Sequence, residues 1–254
     1  MGITYAALTC DGLEGEARVE LARGREEMNA LPHWELRLIA PMGTEIDADK
    51  MLGGAATLQI IDEEDEGALR SIALVVTSFE EESDVDRAQA FRLELAPAAA
   101  LLGYRKGFRV FQQKTTRQIV TELLEGGGVA SDHQAWRTTG KYQKRNYCVQ
   151  YRESEWDFVE RLLADEGIAY HFDAKDDGTP QIVFSDHAEA YVPIPGPGAV
   201  LLNTGDRVVG RCLRAFSWID RLTEDGVHLR DFDVRTPDVL IEGKAGEEGG
   251  REYL

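Results

Sequence analysis

Cysteine and histidine are sparse in this chain, and nowhere do they gather. Cys10, Cys148 and Cys212 are an odd, widely spaced set with no metal or redox spacing, which fits a reducing compartment. His33, His133, His171, His187 and His228 never stand three to five residues from one another or from a cysteine, so no zinc site is expected. No serine lies in a Gly-x-Ser-x-Gly elbow, and no cofactor motif is present. Apolar runs of bilayer length are missing, as are the basic start and apolar core of a signal peptide. A membrane-spanning segment is therefore not expected, and export would use a route other than a cleaved signal. Positive charge is also short. The formal charge of −18 and pI near 4.7 argue against a sequence-independent grip on nucleic acid or on an anionic membrane.

What remains is a globular composition. With 254 residues, 43% of them hydrophobic, the chain can build two or three small cores. Its first hundred residues read as β structure. Trp34, Leu36 and Leu38 alternate with Glu35 and Arg37, Ala56, Leu58 and Ile60 with Thr57 and Gln59, and Phe91, Leu93 and Leu95 with Arg92 and Glu94. Ile72 to Val76 is nearly continuous and apolar, as expected of a strand buried on both faces or at a barrel seam. Acidic stretches at Asp62 to Gly67 and Glu80 to Asp86 read as solvated hairpin turns, and the whole as a small barrel or sandwich.

Two helices follow with the same grammar. The first runs from about Thr116 to Glu125, with Thr115 and Gln118 as a capping box and Ile119, Val120, Leu123 and Leu124 on one stripe. The triplet Gly126-Gly127-Gly128 comes after this helix, so it reads as a C-cap and loop rather than a phosphate cradle. The second begins at Ser154, capped with Asp157, carries Trp156, Phe158, Val159, Leu162 and Leu163 inward, and stops at Gly167. Strands flank it. Tyr147, Val149 and Tyr151 alternate with Cys148 and Gln150, which predicts a half-buried strand with one aromatic, β-branched face; Ile168, Tyr170 and Phe172 alternate after the helix, with His171 outward. Gln181 to Ser185 is another short strand. Pro193 to Gly198 marks a boundary or an extended crossing, after which a new β region begins: Val227 and Leu229 share one parity and Phe232 and Val234 the other, which suggests a bulge near Asp231.

The stretch around the second helix resembles a known family. Arg145, Asn146, Tyr147, Val149, Gln150, Tyr151, Arg152, Glu153, Ser154, Asp157, Phe158, Val159, Arg161, Leu162, Leu163, Glu166, Gly167, Ile168, Tyr170 and Phe172 are similar to a run in the hub and spike proteins of contractile injection machines. That family includes VgrG-like type VI secretion spikes and phage late-control D and baseplate hub proteins. Leu52-Gly53, Val76 to Phe79, Phe91 to Pro97, Phe108 to Gln112 and Val227 to Pro237 are similar to its other runs, with Phe232 where tyrosine is usual. Around Ala73 and Leu74 the family's usual glycine is replaced.

The resemblance implies a mainly β fold with an α+β insert: a first barrel over 1–104, an α+β domain with two capped helices over 105–186, and the start of a second, apparently truncated barrel over 187–254. It implies a non-enzymatic homotrimer joining a trimeric spike to a hexameric tube, with the spike or needle portion and effector cargo as further partners. The protein would assemble in the cytoplasm and leave through the machine, or sit in a virion-like particle if phage-derived.

Charge patterning adds one detail. Between Leu101 and Arg152 ten basic residues face three acidic ones, so this segment is +7 and the remainder −25. A solvated basic face is one reading; self-complementarity between copies is the other, with Arg105, Lys106, Arg109, Lys144, Arg145 and Arg152 as candidate interface residues. A different class stays open, a hydrolase using Cys148 near Lys144 and Arg145, or Asp186 beside His187, although no nucleophile and base cluster in the sequence. A stand-alone cargo-binding adaptor is the third.

Overall fold

In the computed structural model the described residues are 4–62, 67–82, 88–174, 180–193, 200–203, 212–221, 226–246 and 252–253. The acidic turns centred on 63–66 and 83–87 and most of the proline-rich segment 193–198 lie outside them. Two compact units divide the chain, Met1–Gly198 and Ala199–Leu254.

The first unit holds two cores. One belongs to an antiparallel sheet built from β1 (Thr4–Cys10), β3 (Arg18–Arg25), β4 (His33–Pro41), β6 (Ala55–Asp62), β7 (Gly67–Glu81) and β8 (Ala88–Ala96), in the order β1-β6-β7-β8-β4-β3. A two-residue pair, β2 (Leu13–Glu14) with β5 (Glu45–Ile46), and a short helix α1 (Ala48–Met51) fill the connections. The sheet curls until its edge strands β1 and β3 approach one another, as a half-closed barrel does. The alternation seen in the sequence sets the inside: Trp34, Leu36, Leu38 and Ala40 of β4 face Leu58, Leu74, Phe91, Leu93 and Leu95 in one buried cluster. Gly24 lies across from Trp34, and a Cβ there would stand 2.6 Å from the indole ring, so only glycine lets the ring cross β3. Ala73 and Leu74 pair with Thr57 and Ala56 without a register shift; the irregularities of β7 fall at Ile60/Ile61 on its partner and at Val76/Ser78.

The other core is α+β. Its elements are β9 (Lys106–Phe111), α2 (Thr116–Gly126), β10 (Gln134–Arg137), β11 (Cys148–Ser154), α3 (Glu155–Asp165), β12 (Ala169–Ala174) and β13 (Pro180–Ser185). β9 and β11 form an antiparallel ribbon; β10, β13 and β12 form a small mixed sheet. Both capping boxes are present: Gln118 N–H donates to Thr115 Oγ1 and Thr115 N–H to Gln118 Oε1, and Asp157 and Ser154 exchange the equivalent pair. Both helices end in the same way. Val129 N–H reaches Leu124 O and Gly128 N–H reaches Glu125 O, while Ile168 N–H reaches Leu163 O and Gly167 N–H reaches Ala164 O. Gly128 and Gly167 hold the left-handed conformation this cap requires, at φ 90° and 66°. The glycine triplet is thus a terminator. Ile119, Leu123, Phe158, Val159 and Leu162 pack between the helices, and each such side chain taken from water stabilises the fold by roughly 1.5–3 kcal/mol.

In the second unit β14 (Leu201–Leu202) pairs with β15 (Cys212–Leu213), and β16 (Gly226–Asp231) lies between β17 (Ile241–Gly246) and β18 (Glu252–Tyr253). The strand to Pro237 that the resemblance implies does not form. β16 stops at Asp231, whose carboxylate accepts from Phe232 N–H, and Asp233 then accepts from Arg235 N–H, so aspartate-built turns replace the expected bulge. The chain is mainly β with a small helical insert.

Candidate interaction surface

Most of the family-like run holds the α+β core together. Arg145 is its central connector: its guanidinium donates to Thr116 Oγ1 (3.3 Å), Asp165 Oδ2 (2.6 Å) and Glu166 Oε1 (2.8 Å), and Thr116 Oγ1 in turn donates to Glu166 at 3.1 Å. This fixes the start of α2 against the end of α3. The backbone of Arg145 also pairs with Lys114 and Gln113, and the neighbouring Asn146 accepts from Gln113 Nε2. Glu153 binds Arg161, Ser154 and Asp157 cap α3, Phe158, Leu162 and Leu163 are buried, and Gly167 ends the helix. Tyr147 and Tyr151 stand apart from this group.

The six candidate cations split into two sets. Arg105 Nε and Arg109 Nη2 lie 3.2 and 2.5 Å from the carboxylate of Glu155, whose side chain is 4% exposed at the first turn of α3. Two guanidinium groups and the positive end of the helix dipole make that burial tolerable. Arg145 is held as described. Lys106, Lys144 and Arg152 are exposed and have no carboxylate partner among the described residues. Arg152 takes φ 56° at the irregularity that closes the ribbon, and its guanidinium lies 5.4 Å from the Tyr151 ring.

The pairing of β11 decides which of its two faces is dry. Cys148 and Gln150 face the core, while Tyr147 and Tyr151 point out. The cause is β9. Val149 pairs with Val110 and Tyr151 with Phe108, so apolar side chains from both strands share the outer face, while Phe111 opposite Cys148 and Arg109 opposite Gln150 take the inner one. Buried Gln150 donates to Glu153 O at 3.1 Å, and inner Arg109 reaches Glu155. Phe108, Tyr147 and Tyr151 are 66%, 63% and 62% exposed, and Phe108 meets Tyr151 edge to face at 5.3 Å. The signal for this patch was the alternation of Phe108 and Val110 with Gly107 and Arg109, which shows its meaning only once β9 is paired to β11.

The candidate chemical groups are structural in their contacts. Burial pushes the Cys148 thiol up, and the cations Arg145 and Arg161 only partly oppose it, which is the wrong direction for a thiolate nucleophile. Asp186 accepts from Tyr142 OH (2.7 Å), His187 Nδ1 (2.7 Å), Gly140 N–H (2.7 Å) and Thr139 N–H (3.0 Å), and these donors hold its carboxyl well below the usual range. Its role there is to pin the 139–142 segment against β13. His171 is partly buried against Tyr191, with ring centroids 5.6 Å apart, and burial pulls its pKa down. Among the described residues no three His, Cys, Asp or Glu side chains gather as a metal set, and no helix is long and apolar enough to cross a membrane. An apolar cavity of about 260 Å³ lies between β7 and β12, lined by Ile72, Leu74, Val129, Phe172 and Ile182, with the Arg70–Glu26 pair at its rim.

Comparison with known proteins agrees with this architecture. The model of the phage tail baseplate hub (GPD) family matches residues 25–253. The type VI secretion system spike protein VgrG4b of Pseudomonas aeruginosa is 30% identical over 244 residues, 94% of this chain and 29% of that protein. Among solved structures, the E. coli c3393 protein, described as a component of the type VI secretion system similar to T4 bacteriophage tail proteins gp27 and gp5, superposes with TM-score 0.66 at 23% identity, over 73% of this chain and 50% of that one. The 43 kDa tail protein of prophage MuSo2 from Shewanella oneidensis shares the fold over 99% of this chain and 72% of its own, with TM-score 0.54 and 14% identity. The chain thus spans under a third of the length of the VgrG4b protein it matches. With the family model matching almost end to end over this mainly β architecture, the chain belongs to the phage tail baseplate hub family.

Proposed function

We propose that this chain is the hub portion of a contractile injection machine, of the type VI secretion or phage-tail kind, and that it acts by assembly rather than turnover. In this reading three copies, each with a first barrel over 1–104, an α+β domain over 105–186 and a second barrel beginning at 187, form a ring that adapts a trimeric spike to a hexameric tube. The spike or needle portion and effector cargo complete its partners, and it leaves the cell inside the machine. The family match over residues 25–253 carries the reading. The raised Cys148 thiol, and an Asp186 carboxylate engaged by Tyr142 and His187, favour assembly over the hydrolase alternative. Co-expression with the tube protein encoded in the same genome tests it. A complex of three hub chains per six tube subunits is expected; failure of the two to co-purify at low salt would overturn the reading.

A further inference from the structure

We propose that the outer face of the β9–β11 ribbon binds the acidic, apolar turn between β16 and β17 of a second copy of this chain. The proposal rests on the self-assembling reading above and adds which two surfaces meet. Phe108, Tyr147 and Tyr151 leave most of their surface in water on one side of a two-stranded ribbon, with Val110 between them. A contiguous apolar patch of this kind on a folded unit marks an interaction surface, and aromatic side chains are enriched at such sites. Arg152 lies over the Tyr151 ring, Lys106 stands two residues before Phe108 on β9 and Lys144 three before Tyr147, all exposed and without a carboxylate partner among the described residues. In a chain of net charge −18 this is the basic exception, so the partner that fits it is apolar at the centre and acidic at the rim.

The chain itself carries such an element. From Asp231 to Glu242 it reads DFDVRTPDVLIE, in which Phe232, Val234, Val239 and Leu240 are exposed. Asp231, Asp233 and Asp238 alternate with them and have no cation partner among the described residues, whereas Glu242 is already held by His228 and Arg230. Backbone donors from Phe232 and Arg235 to Asp231 and Asp233 set the shape of the turn, which lowers the ordering cost of docking. Ribbon and turn are different surfaces, so the contact is heterologous and propagates from copy to copy until a ring closes.

Sedimentation velocity on the whole chain tests this. A ribbon variant, Phe108→Ser with Tyr151→Ser, and a turn variant, Val234→Ser with Leu240→Ser, are each expected to weaken self-association by roughly tenfold or more. Mixed in equal amounts, the two should recover association limited to pairs, because each keeps one intact half of the contact. Raising salt should weaken the unmodified assembly. Should the ribbon variant lose its fold by circular dichroism, Lys106→Glu with Lys144→Glu gives the same reading from the rim. Association unchanged in both variants would overturn the proposal while leaving assembly through another surface intact. A turn variant that associates normally beside an impaired ribbon variant would also overturn it, because the occupant would be wrong. A chain that is monomeric without any substitution would overturn both this contact and self-assembly.

Discussion

The α2–α3 core and the C-terminal unit both carry large apolar side chains, and they dispose of them in opposite ways. Ile119, Leu123, Phe158, Val159 and Leu162 are sealed between two capped helices, whereas Phe216, Trp218, Val234 and Leu240 remain between 70% and 81% exposed. The first region closes on itself: caps, terminators and the Arg145 network all point to one arrangement, and local and tertiary preferences agree. Among the described residues the second has strands and turns whose large apolar side chains are mostly exposed. An apolar residue in a hub protein therefore serves either the fold of one copy or a surface meant to be covered, and only pairing geometry tells which.

The sharpest way to break this comparison is truncation in the two regions. Phe158→Ala should cost about 3–5 kcal/mol in denaturant unfolding, since it leaves a cavity against Phe111 and the helices. Val234→Ala should stay within roughly 0.5 kcal/mol for the isolated copy. A large loss at Val234 would mean that the C-terminal unit has a core of its own.

Removing the connector is next in size. Arg145→Met keeps the aliphatic stem but leaves Thr116 and Glu166 without their donor, and we expect a loss of about 1–3 kcal/mol. A double variant with Glu166→Gln should lose less than the two single losses together, because both act in one network.

Asp186 gives the pH dependence. Its folded carboxyl lies below the ordinary aspartate value, so folding releases protons and the stabilisation is complete above about pH 4 and lost as pH falls through the depressed folded value. Asp186→Asn should lower stability at neutral pH and flatten the acid limb of a melting-temperature profile. His171, lowered by burial, has the opposite charge but the same sign: its neutral form is favoured in the fold, so stability falls as pH drops through about 6.5, the unfolded histidine value.

The smallest effects come from the terminator and the thiol. Gly167→Ala meets open space but a left-handed backbone, and should cost about 1 kcal/mol. Cys148 should resist alkylation in the folded chain at mildly alkaline pH and react once it is unfolded, because its thiol is both buried and raised. Ready modification in the folded state would mean that β11 opens.

Much of this was legible in the sequence. The alternations of β4, β6 and β8, both capping boxes and both glycine terminators lie where local chemistry puts them, because each depends on residues within a few positions of one another. The face of β11 was not legible. Alternation separates Tyr147, Val149 and Tyr151 from Cys148 and Gln150 without saying which face is dry; that follows from the cross-strand pairing with Phe108 and Val110 and from where Cys148 and Phe111 must go. The engagement of Arg105 and Arg109 by Glu155 was hidden for the same reason, since the carboxylate lies some fifty residues along the chain. The parity break after Leu229 reads as a bulge near Asp231, but Asp231 and Asp233 accept backbone donors and turn the chain instead.

Self-assembly of the hub chain is tested most directly by the mass of the purified chain. Native mass spectrometry across the micromolar range should show a closed species of three copies, populated more at low salt than at high. A single copy at every concentration and salt would contradict the claim that this hub chain assembles through its own surfaces.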